Sequence, residues 1–594
     1  MNTMNTSDLP EIQYTIWSAD LHGHRFQVKL RIENPMPDGQ VLQMPAWIPG
    51  SYLIRDFSKQ IETIEAFAVG KPNEALVLER IDNDQWRLPS VVGPVDILTT
   101  VYAFDPSVRA AYLDTERAFI NPSSLCLSVK GQEGLPCALV LIPPKDASTI
   151  HWTVQTGLRP VKIDLQGYGF YLAKNYDDLL DHPIAMGEFQ IAHWKSNGVS
   201  HSMAIQGCVH EIDLERLATD LQAICTCTIN LFEPKTKTAP FQNYLFLVNA
   251  VLAGYGGLEH RNSTALLCPR DQIPQVNTPL DETAYREFLG LCSHEYFHTW
   301  LVKRIQPKAF QPYQLDRRNH TRLLWLFEGF TSYYDDLQLL RSKRIDLKTY
   351  LKLVVNNWNA ILRGPGRLKQ SLADSSFDAW TKYYQADENT PNAVVSYYGK
   401  GALLALGLDL KIRAFTNHRQ SLDDLMRLIW QTHGVTLEGI AEDGLDELIH
   451  QLLGKAFKKT WNEFKSRYIF DVEDIPIQQW FDPKTISVQL QSHSNLEQIK
   501  LQLGLRHSDT NGWLKVTHVL DGGAAQLAGL APGDLLASIN GERITAARWE
   551  KVLSSLIPEQ LIQICFYRDD LEHECMMVLE DDQLPTQYAL TPTE

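Results

Sequence analysis

Two histidines set four residues apart inside an apolar run constrain this chain more than any other feature. They belong to His294-Glu295-Tyr296-Phe297-His298, and Phe288, Leu289, Cys292 and Tyr296 recur around them at helical spacing. Thr278 before Pro279 supplies a capping residue and a proline at the first helical position, which predicts that the helix starts there. Four residues turn a helix by about 400°, so both imidazoles leave from nearly one face and can grip one ion. Glu295 stands one step around, placed to serve as a general base toward a water without itself being a ligand. A catalytic zinc site takes three protein ligands and keeps one position open. Glu328 supplies the third: it lies in Leu324-Trp325-Leu326-Phe327-Glu328-Gly329-Phe330-Thr331, an apolar stretch of a second helix expected over about 321–342. A carboxylate buried there without a partner would be costly. The sequence therefore predicts one zinc ion per chain, held by His294, His298 and Glu328.

Two further motifs carry chemistry. Gly256-Gly257-Leu258-Glu259-His260 follows the strand-like run of residues 244–248. A glycine pair there lets backbone approach a ligand closely, and the carboxylate after it can receive a substrate's free amine; the alternative is a plain turn. In Val395-Ser396-Tyr397-Tyr398-Gly399-Lys400-Gly401, a phenol near the metal can stabilise a developing oxyanion; the alternative is a core tyrosine.

At 594 residues the chain exceeds one hydrophobic core, and 44% hydrophobic with 21% charged residues suits packed domains. Short alternating runs such as Phe26-Gln27-Val28-Lys29-Leu30-Arg31-Ile32 predict a β-sandwich-like domain over residues 1–190. Helical patterns dominate from 278 to about 460, within a catalytic domain over 191–482; a third helix ends at Gly364-Pro365-Gly366. Strands return over 483–582, and residues 583–594 read as a polar tail. The fold class is multidomain α+β. A net charge of −16 disfavours nucleic acid and anionic lipid. The sequence has no signal-like N-terminal segment, no spanning run and no CxxC pair among nine cysteines, which predicts a cytoplasmic protein without membrane association.

The elements His294-Glu-x-x-His298, Glu328-Gly-Phe and Tyr398-x-Lys-Gly look like the thermolysin-like catalytic domain of the aminopeptidase N family. The variant Gly256-Gly-Leu-Glu-His260, the wider spacing from His298 to Glu328 and the segment Trp47-Ile48-Pro49-Gly50-Ser51-Tyr52-Leu53-Ile54-Arg55-Asp56-Phe57 are instead similar to the glycyl aminopeptidase family of PDZ-containing metallopeptidases. That resemblance spans nearly the whole chain. It implies a β-rich N-terminal domain, a gluzincin catalytic domain, a C-terminal PDZ domain and peptide substrates beginning with Gly or Ala. It also implies that Tyr398 stabilises the intermediate and that Glu259 binds the substrate amine. Residues 522–541 themselves resemble a PDZ domain, a module that adds a peptide to a sheet edge and catches its terminal carboxylate in backbone amides. Leu503, Gly504 and Leu505 are then the expected carboxylate-binding loop, for a peptide C-terminus or a protein partner; a packing surface is the other reading of this module. Two alternatives to an aminopeptidase stay open at this level: an endopeptidase with an open cleft, in which Glu259 is structural, and a PDZ-based adaptor with a non-catalytic metal.

Overall fold

The computed structural model describes residues 10–557, 559–580 and 584–593. They pack as two compact units. The first unit takes the chain up to Asn319 together with Leu337–Arg344 and Ile429–Ile440; the second takes His320–Asp336, Ile345–Leu428 and the chain from Ala441 onward.

In the first unit, alternation in the sequence becomes alternation in burial. Strand Arg25–Ile32 buries Phe26, Val28, Leu30 and Ile32 and leaves the residues between them half-exposed, because successive side chains of a strand leave by opposite faces. This strand lies between Ile12–Asp20 and Val95–Tyr102 in an eight-stranded sheet, and two four-stranded sheets complete the β-rich region. A further five-stranded sheet follows, in the order Gln190–Ser196, Val199–Gln206, Asn243–Val251, Ser263–Pro269, Gly256–Glu259. Helix Leu214–Phe232 connects the parallel strands Val199–Gln206 and Asn243–Val251, while Gly256–Glu259 is antiparallel to its neighbour and forms the sheet edge.

The next helix, Glu282–Phe297, carries the histidine pair. It starts three residues later than Thr278 and Pro279 suggest. Asp281 is its N-cap and accepts from Thr283 N and Ala284 N, so one carboxylate satisfies two orphan amides that a proline at 279 leaves untouched.

The second unit joins a helical region to a β-module with its own core. The second predicted helix is broken into Leu324–Phe327 and Gly329–Arg341, with Glu328 at the junction, and the third runs Leu347–Arg363 with Gly364 as C-cap. The module's sheet runs Leu505–Thr510, Trp513–Val519, Leu535–Ile539, Leu561–Arg568, Leu571–Val578. The C-terminal segment read as a polar tail instead forms strand Tyr588–Pro592, paired with Ile486–Leu490. Tyr588 stacks on Trp358 at 4.0 Å, and Asn359 exchanges two hydrogen bonds of 3.0 Å with the Tyr588 backbone. Polarity hid this strand, because its partners, strand Ile486–Leu490 and a helix carrying Trp358 and Asn359, lie far off in the chain. Among the described residues, no helix is long and apolar enough to cross a membrane. The multidomain α+β class expected from the sequence is the class observed.

Two buried histidines of the first unit work against its stability in acid. His201 faces Val199 O and the Tyr296 hydroxyl, His260 faces Asp181, and burial pushes both imidazoles down to about 4. In the unfolded chain they titrate near 6.5, so between these values the unfolded state binds more protons and stability falls as pH falls. Each accounts for a loss on the order of 3 kcal/mol across that window. Urea midpoints measured from pH 7.5 to 4.5 should drop steeply below 6.5, and His201→Gln, which cannot titrate, should flatten the limb.

Candidate metal centre

His294 and His298 direct their Nε2 atoms at each other across 3.0 Å, with ring planes at 84°. Neighbouring ligands on a tetrahedral ion with bonds of about 2.0–2.1 Å stand about 3.3 Å apart, so this pair is spaced for one cation. His298 Nδ1 lies 3.1 Å from Leu301 O, and since a carbonyl only accepts, Nδ1 carries the hydrogen and Nε2 presents its lone pair. That carbonyl is delivered by a sharp reversal after the helix. Val302 has φ of 87°, a left-handed conformation that β-branched residues seldom adopt, with Val302 N donating to Ile305 O and Lys303 N to His298 O. The ligand atoms of His294, His298 and Glu328 all lie within 4.8 Å of one another. Two imidazole nitrogens and one carboxylate, one nitrogen fixed by a backbone carbonyl, form a donor set that fits a divalent transition-metal ion.

Glu295 and Glu259 are both buried, and each lies against a glycine. A Cβ at Gly257 would overlap the Glu295 carboxylate. The space left by the second glycine of the pair is thus filled by Glu295 and is not open for a ligand. Gly256, at φ of +151°, faces Arg109, whose guanidinium donates to Gly257 O at 3.2 Å. Glu259 sits under a turn at residues 48–51, closed by Ser51 N to Ile48 O. Gly50 there has φ of +96°, and a Cβ on it would stand 2.6 and 2.7 Å from the two Glu259 oxygens. The segment 47–57 therefore reaches Glu259 through Gly50, which its own sequence did not signal.

Tyr398 is the N-cap of helix Gly399–Thr416. The helix approaches Glu328 through a glycine contact: a Cβ on Gly329 would stand 2.6 Å from Gly401 Cα. Burial, followed by the nearby Glu328 charge, pushes the Tyr398 phenol well above its usual range and keeps it a donor. Its hydroxyl is 3.4 Å from that of Tyr384, and its ring stacks on Tyr397. The sequence reading missed Tyr384; its only signal was the Tyr383, Tyr384 pair upstream of a second tyrosine pair.

In the C-terminal module, Leu503 ends helix Asn495–Leu503 and is buried, Gly504 caps it with φ of 65°, and Leu505 opens the edge strand Leu505–Thr510. Gly504 lies backbone to backbone with Gly523.

Three family models match the chain: the Peptidase M61 N-terminal domain over residues 13–188, the M61 glycyl aminopeptidase over 287–404 and the PDZ domain over 490–556. A crystal structure of an aminopeptidase N family protein from Idiomarina loihiensis is 38% identical, with 98% of each chain covered and a TM-score of 0.92. The chain belongs to the M61 glycyl aminopeptidase family. The M61 chain is accordingly a peptidase with a PDZ domain. A mutant M1 zinc metallopeptidase from Deinococcus radiodurans bound to a Tyr-Ser-Ala substrate also matches, at 11% identity and a TM-score of 0.47, over 79% of the M61 chain and 96% of its own. None of the curated proteins matches.

Removing the Glu328 carboxylate tests the candidate metal centre of this M61 peptidase directly. Glu328→Ala should weaken metal retention at least about 100-fold, measured by metal analysis after dialysis against a graded chelator series. Retention at the parent level would remove Glu328 from the ligand set.

Proposed function

We propose that this chain is a cytoplasmic zinc aminopeptidase, with one zinc per chain, that removes a small N-terminal residue, Gly or Ala, from peptides. The observation that carries this reading is the shared face of strand Gly256–Glu259. Gly257, which packs on Glu295, and Glu259 are two residues apart, so their positions are separated by about 6.6 Å on one side of the strand. An α-amine held by Glu259 then lies about two strand residues from the carboxylate that serves the water. The turn carrying Gly50 presses on Glu259 from the other side, which favours substrates with little side chain next to the amine.

His294, His298 and Glu328 would hold the ion. When bound, zinc supplies Lewis-acid polarisation of a carbonyl and lowers the pKa of a water. Glu295 takes the proton of the attacking water on its carboxylate and gives it to the leaving nitrogen. Tyr398 donates its phenolic hydrogen to the developing oxyanion, a contact worth about 3 kcal/mol in comparable sites. Glu259 fixes the α-ammonium and orients the first residue. The C-terminal module receives a peptide C-terminus at Leu503, Gly504 and Leu505, a reading supported by the edge position of strand Leu505–Thr510.

Two substitutions separate base from anchor. Glu295→Gln should keep its metal and lose at least about 1000-fold in kcat; substantial residual turnover would exclude Glu295 as the base. Glu259→Ala should lower kcat/KM about 100-fold on free-amine glycyl amides and leave N-acetylated ones unaffected. Equal losses on both would favour an endopeptidase.

A further inference from the structure

Asn392, buried in the short helix Thr390–Ala393, grips the backbone of the C-terminal module. Its Nδ2 donates to Val519 O at 2.9 Å, and its Oδ1 accepts from Asp521 N at 2.9 Å. One side chain thus bridges a carbonyl and an amide of the same loop, a task that needs both a donor and an acceptor on one planar group. Lys369 pairs with the Asp521 carboxylate beside it.

The chain between Asn392 and Tyr398 has little freedom. Val394 N donates to Thr390 O, and its peptide lies against Gly366, where a Cβ would not fit. Val395 N donates to Gln370 Oε1 at 3.1 Å, and Val395 O accepts from the Ser375 hydroxyl. The Ser396 hydroxyl accepts from Gly399 N at 3.1 Å and lies 3.3 Å from that of Tyr383. A short run of held backbone therefore joins Asn392 to Tyr398.

We propose that Asn392 is a positioning residue for Tyr398, so that the C-terminal module, by holding Asn392, sets the place of the phenol. This rests on the reading of Tyr398 as the oxyanion donor. It gives the module a part in turnover that is independent of any peptide in its own groove.

The test is a double-mutant cycle in the full-length, metal-loaded protein, with a free-amine glycyl arylamide as substrate. Tyr398→Phe should lower kcat about 100-fold. Asn392→Ala should lower kcat about 10-fold with KM within about twofold and metal content unchanged. The double variant should be no slower than Tyr398→Phe alone, because a positioning residue has nothing to position once the hydroxyl is gone. Multiplying losses would overturn the proposal, as would an Asn392→Ala enzyme that keeps its kcat and loses only thermal stability. Tyr398→Phe at the parent rate would refute the oxyanion reading itself, and is distinguishable because it is read in the single variant. If Asn392→Ala does not fold, Asn392→Asp, which keeps the acceptor and loses the donor toward Val519 O, should give a smaller loss with the same non-additivity.

Discussion

A strand and a helix meet in the first unit at a spacing that only a missing side chain permits. Strand Gly256–Glu259 pairs with Ser263–Pro269, and the helix carrying His294 and His298 packs against it. At Gly257 the Glu295 carboxylate occupies the volume of a Cβ. Any larger residue would push the strand edge away from the helix, carrying Glu259 with it and straining the Arg109 bond to Gly257 O. The distance between the two acids is therefore set by packing, before any substrate arrives.

The same region is fastened a second time by buried charge. Burial works to raise the Asp181 pKa, but Lys303 at 2.7 Å and Arg261 outweigh it and hold the carboxyl well below its usual range. Asp181 also accepts from Arg261 N at 2.9 Å, so one carboxylate ties the end of the Glu259 strand to the turn that follows His298. Val302 in a left-handed conformation costs on the order of 1–3 kcal/mol. The Lys303 pair and the His298 Nδ1 bond to Leu301 O are what that reversal gains. A buried pair is weak evidence for stability in itself, and here its clearer consequence is a defined backbone path beside His298.

What could be read from the sequence was local periodicity and rare side-chain patterns. The four-residue histidine spacing, the apolar setting of Glu328 and the alternation of residues 26–32 each report on one element's own geometry. What could not be read depends on partners distant in the chain. Thr278 with Pro279 is a sound start signal, yet Asp281 outcompetes it by capping two amides. Gly256 and Gly257 read as room for a ligand, whereas the neighbour that fills the second gap is Glu295. Tyr384, Asn392 and the strand Tyr588–Pro592 gain their meaning from contacts with residues 398, 519–521 and 358–359, which no local pattern encodes.

Those last contacts also show how the C-terminal region is fixed to helices through its backbone. Asn359 and Asn392 make the same bridge at two places, each pairing its amide with one backbone carbonyl and one backbone amide of the C-terminal region. Such a bridge reads the path of the partner chain and ignores its side chains. The exposed Lys369 pair, at about 0–1 kcal/mol, adds little to it. A single bridge would leave the module free to rotate about it. The two bridges act at separate points, one at Tyr588 stacked on Trp358 and the other at residues 519–521. The loop that holds Asn392 is thus recognised through its backbone, by one carbonyl and one amide.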